Sequence, residues 1–122
     1  MVAGLRSAEL RSLWTVEGEP LVSVSVESDA FCVWLRAYIG EHGEKGEESF
    51  DFAVCSPSWL ERELEKQGPL SGRFLLIVQA FEPAQIEQYV RRRVEEAKGG
   101  DWSAIAEKLS RWSAWEFEDY RS

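Results

Sequence analysis

A chain of 122 residues with 44% apolar residues, six Trp, six Phe and three Tyr has the material for one hydrophobic core and is too apolar for disorder, despite 30% charged residues. Its 22 acidic against 14 basic residues leave a formal charge of −8, which argues against nucleic acid or anionic lipid as partner and favours a basic macromolecule, although excess charge also serves solubility. The longest apolar run, residues 74–78, is far short of the roughly 20 residues of a membrane span, and residues 1–10 lack a signal peptide's apolar core, so one cytoplasmic domain over residues 1–122 is expected.

In chain order, residues 2–7 read as a strand. Residues 21–26 follow as a second, alternating Val22, Val24 and Val26 with Ser23 and Ser25, and Ser28-Asp29 marks a turn. Residues 31–39 and 50–55 alternate in the same way and read as a hairpin, with Phe31, Val33, Leu35, Ala37 and Ile39 on the face of Phe50, Phe52 and Val54. Pairing Ile39 with Phe50, Ala37 with Phe52 and Leu35 with Val54 puts Trp34, Arg36 and Tyr38 behind, and leaves Cys32 only diagonal to Cys55. That spacing does not suit a disulfide, so both cysteines are read as free buried thiols.

Ser56-Pro57 reads as an N-cap followed by proline at the first helical position. Trp59, Leu60 and Leu64 give that helix an apolar stripe, and Gly68-Pro69 ends it. Residues 73–80 are nearly continuously apolar and are expected as a central strand covered on both faces. Pro83 opens a second helix through Ile86, Tyr89, Val90, Val94 and Ala97, which Gly99-Gly100 stops. Asp101 caps a third carrying Trp102, Ile105, Ala106, Leu109 and Trp112, and a short strand through Trp115 and Phe117 follows. The expected fold class is α+β, a mostly antiparallel sheet with three helices packed on one face, and Trp59, Leu64, Ile86, Val90, Ile105 and Leu109 completing the core.

Chemistry is sparse. The single histidine, His42, lies between glycine and glutamate with no Ser or Cys neighbour to activate, and reads as a loop residue. The cysteines lack zinc or thioredoxin spacing, and the glycines match no nucleotide-binding pattern. Arg91, Arg92 and Arg93 are followed by Glu95 and Glu96 and read as a solvated helix face. Glu41, Glu44, Glu47, Glu48 and Asp51 could supply oxygen ligands or an acid/base pair, but glycines interrupt the run and the calcium-loop pattern is absent. No catalytic residue, cofactor or metal site is therefore assigned.

Two features rise above this background. The loop at residues 40–49 is longer than a hairpin needs and carries Glu41, Glu44, Glu47 and Glu48. The tail mixes aromatics with acids as interfaces do, and Trp112, Glu116, Glu118, Asp119 and Tyr120 join the loop as candidate partner-binding residues; the alternative is that Trp115 and Phe117 only close the core.

Three blocks, Gly46-Glu47-Glu48-Ser49-Phe50-Asp51-Phe52, Cys55-Ser56-Pro57-Ser58-Trp59-Leu60 and Trp115-Glu116-Phe117-Glu118-Asp119-Tyr120-Arg121, resemble the immunity protein 8 family of bacterial polymorphic toxin systems. The resemblance implies a cytoplasmic, non-catalytic protein made beside a cognate toxin domain and inhibiting it by binding. An acidic inhibitor suits a basic, nuclease-like toxin, without contact to nucleic acid or membrane. The competing readings are an acidic protein-binding adaptor or self-associating subunit and, more remotely, a metal-dependent enzyme using the acidic loop.

Overall fold

The computed structural model describes residues 4–118. Its elements run β1 (Arg6–Thr15), a single 3-10 turn (Leu21–Ser23), β2 (Cys32–Glu41), β3 (Glu48–Cys55), α1 (Pro57–Gln67), β4 (Leu75–Ile77), α2 (Pro83–Glu96), β5 (Lys98–Gly99), α3 (Trp102–Leu109) and β6 (Ala114–Trp115). The sheet order is β4-β3-β2-β1-β5, and β6 also pairs with β3. All pairings are antiparallel except β3 with β4, whose parallel sense is what the α1 crossover permits. The class is α+β, as expected, with a mixed sheet.

The hairpin faces are as the alternation predicts, since Leu35, Ala37, Ile39, Phe50, Phe52 and Val54 are all buried in one core. The register is not. Leu35 lies opposite Phe52, Ala37 opposite Phe50 and Ile39 opposite Glu48, a slip of two residues that keeps every side chain on its face and so escapes the pattern. The slip also sets Cys32 directly opposite Cys55, removing the geometric argument against a bond; both thiols are free.

The N-terminal third departs further. The first strand occupies residues 6–15, well beyond residues 2–7, of which 2 and 3 lie outside the described residues. Its core positions are Ala8 and Leu10, then Leu13 and Thr15, because a bulge between Leu10 and Ser12 inserts Arg11 and shifts the alternation by one. The expected strand at 21–26 is instead the 3-10 turn and an extended stretch outside the ladder. Only Leu21 is fully buried there, and Val22 is 79% exposed.

Residues 73–80 form an edge strand of three residues, not a central one, and Ile77 is 54% exposed. The apolar run is served by one face only: Leu76 and Val78 pack on the core. Helices α2 and α3 cover that core, burying Ile86, Val90, Val94, Ile105, Ala106 and Leu109. Each of these larger aliphatic side chains contributes about 1.5–3 kcal/mol on burial. Asp101 caps α3 as predicted, accepting the Ala104 N–H at 2.9 Å. Helix α2 ends at Glu96 with Ala97 as its C-cap, ahead of the glycines expected to stop it; Gly99 instead pairs with Arg6, and a Cβ there would stand 2.9 Å from the Ala104 Cβ.

Helix α1 takes a different side. Ser56 caps it as predicted, accepting from Trp59 N–H at 3.3 Å and also from the Phe31 N–H at 3.2 Å. Yet Trp59 and Leu64 do not join the core. Trp59 lines a groove with Cys32 and Trp34 on the reverse face of the sheet, and Leu64 is 48% exposed. Stripes of apolar residues show that a helix is amphipathic, not which sheet face it covers.

Burial there pushes the Cys32 thiol up, with Glu63 adding to it, and raises Cys55 from 9.0 to about 11, with Cys32 adding to it. The folded state therefore holds the Cys55 proton more tightly than the unfolded chain. The associated stability is present below 9.0 and lost as pH rises through about 11. Iodoacetamide at about pH 8 should label Cys55 only on unfolding. The urea midpoint of the parent should also fall more steeply across that alkaline window than that of Cys55→Ala. Rapid native labelling of Cys55, or parallel pH profiles, would contradict this.

Candidate functional site

The tip of the β2–β3 hairpin is a built structure. His42 to Glu47 form the connection, with positive φ at Gly43 and Gly46 making the turns that other residues resist. Arg11, the bulge residue, donates through Nη2 to the Glu41 carbonyl at 3.0 Å and the Glu44 carbonyl at 2.6 Å, with its Nε 3.2 Å from Glu9 Oε1. Gly40 makes room for this: a Cβ there would overlap the Gly46 carbonyl oxygen and stand 2.7 Å from Arg11 Nη2. His42 Nδ1 lies 2.9 Å from Glu9 Oε2.

On this frame Glu41, Glu44, Glu47 and Glu48 line a concavity with Gly40, Lys45, Gly46 and Trp102, so four carboxylates face one lysine. They are not equivalent. Glu41 is largely buried and paired with Arg6 at 3.4 Å. Glu48 has core-side parity, and its Oε1 accepts from both the Trp102 and Trp115 indole N–H groups at 2.8 Å. It therefore ties α3 and β6 to the hairpin through one carboxylate oxygen. Glu44 and Glu47 are exposed and make no ion pair among the described residues.

The tail candidates lie nearby but mostly face inward. β6 pairs Trp115 with Phe50, stacking the rings at 6.4 Å and 7°, and Phe117 meets Trp115 edge-on at 6.1 Å, outside the strand expected to include it. The Glu116 carboxylate accepts the Ser49 N–H, and Glu118 accepts from Arg73 at 2.7 Å. Trp112 lies beyond α3, edge-on to Phe52 at 5.7 Å and under the Arg93 guanidinium at 5.4 Å. Asp119 and Tyr120 lie outside the described residues. The structure thus brings loop and tail together at one end of the sheet, and spends most of their groups on holding it.

A second surface lies on the reverse face of the sheet. Trp14, Trp34, Arg36 and Tyr38 occupy the reverse parity of β1 and β2, where half-buried strands usually carry small or polar side chains. Trp14 is 36% and Trp34 42% exposed. Arg36 is held by Asp51 through two hydrogen bonds of 2.8 and 2.9 Å, which also raise its guanidinium above the usual range. The available signal was two tryptophans, an arginine and a tyrosine at positions that alternation assigns to solvent.

Among the described residues no three His, Cys, Asp or Glu side chains could hold a metal ion, and no helix is long and apolar enough to cross a membrane. The chain belongs to the immunity protein 8 family: a family model described as Immunity protein 8 matches residues 8–120. Membership makes it an immunity protein of polymorphic toxin systems, whose partner is a cognate toxin protein. Comparison with curated proteins and with solved structures yields no match.

Proposed function

We propose that this protein neutralises a basic, nuclease-like toxin domain in the cytoplasm by binding alone, with the acidic hairpin tip steering the encounter. The observation that carries this reading is the concavity in which Glu44 and Glu47 stand exposed on a loop pinned by Arg11 and Glu48. The loop backbone that carries them is already ordered, so little backbone order is lost on contact, and their exposed charge attracts an approaching cation most strongly at low salt. A chain of net charge −8 adds to that field.

The test is binding to the cognate toxin domain, followed by surface plasmon resonance at two salt concentrations. Glu44→Lys with Glu47→Lys should slow association about tenfold at low salt and flatten its salt dependence, because long-range charge acts on encounter. Dissociation should change less. Glu48 is left intact, since losing it would unseat two indoles. Association unchanged at both salts would remove the steering role.

A further inference from the structure

We infer that the toxin domain docks on the reverse face of the sheet, with Trp14 and Trp34, diagonal neighbours across β1 and β2, as anchors and with Arg36 and Tyr38 beside them. This inference rests on the toxin-binding reading above and adds the surface that carries the affinity.

Three observations converge. First, the face is open where α1 does not reach it. Trp14 pairs with Arg36, Arg36 with Asp51 and Ser12 with Tyr38 across neighbouring strands, so the aromatic groups stand on backbone already fixed in the ladder. A surface that is rigid before contact loses little entropy on binding. Trp, Tyr and Arg are also the residues that most often dominate binding energy.

Second, the face is continuous with the acidic tip. Glu47 has the opposite parity to Glu48, and it borders both the tip concavity and a second one formed by Trp14, Glu17, Arg36 and Tyr38 with their neighbours. One partner can therefore cover both. Third, the charge matches. Asp51 neutralises Arg36 at the centre, while Glu17 and Glu47 at the rim are exposed and unpaired among the described residues. Aromatic anchors with acids along the Trp14 edge complement a basic surface with apolar side chains beside it, and steering at that edge feeds burial at the anchors.

Hydroxyl-radical footprinting of the unaltered protein with the cognate toxin domain tests this directly. Trp14 and Trp34 should be protected in the complex, while Tyr89, 39% exposed on α2 beyond the opposite face, should label as in the free protein. Trp14→Ala and Trp34→Ala, each shown to melt like the parent, should dissociate about thirtyfold faster or more, with little change in association. If either variant does not fold, the footprint decides. A stable complex in which both tryptophans label as in the free protein overturns the docking face and leaves the immunity reading standing. Absence of any complex with the parent overturns both.

Discussion

Phe50→Ala should lower the stability of the fold by about 3–5 kcal/mol, measured by urea denaturation followed through tryptophan fluorescence. Phe50 is fully buried at the junction of three elements. Its backbone lies between Ala37 of β2 and Trp115 of β6, and its ring meets Trp102 of α3 edge-on at 6.2 Å and stacks on Trp115. Truncation would leave a cavity under two indoles whose N–H groups both depend on Glu48, so packing and hydrogen bonding weaken together. Against a total stability of about 5–15 kcal/mol, such a loss is large enough to leave a marginal domain substantially unfolded. Phe50→Leu, which keeps most of the volume, should cost far less. A loss below about 1 kcal/mol for the alanine variant would mean that the Phe50–Trp102–Trp115 cluster does not hold the tail.

The faces of β2 and β3 were legible because period-2 alternation carries parity through any even slip. For the same reason it could not tell a pairing of Ile39 with Phe50 from the actual pairing with Glu48. The slip matters for function, since the true register makes Glu48 the last core-side residue of β3 and brings it under Trp102 and Trp115. Helix ends were legible at Ser56, Pro83 and Asp101, where a cap or a proline acts locally. What failed depended on distant partners: the bulge at Arg11, the side taken by α1, and the edge position of β4.

The candidate site was legible in part on the same grounds. The density of glutamates between residues 41 and 48 marked the tip. It could not say that Arg6 occupies Glu41 and two indoles occupy Glu48, leaving Glu44 and Glu47 without an ion pair among the described residues. The aromatic tail drew attention by composition, yet Trp115 is spent on the core. The exposed tryptophans of the reverse face were visible only as parity, in strands whose apolar half held the eye. Composition locates charge well, but burial decides which charges and rings remain available.

The most direct test of the central claim is neutralisation itself. Purified cognate toxin domain is titrated with the folded protein, and toxin activity and complex size are read on the same samples, alongside survival of cells expressing the toxin with and without it. The expected result is a stoichiometric complex in which toxin activity falls to background as the added protein reaches equivalence, with survival restored in the co-expressing cells. Toxin activity that persists above equivalence, with the protein shown to be folded and no complex formed, would contradict an account in which inhibition is binding by this surface.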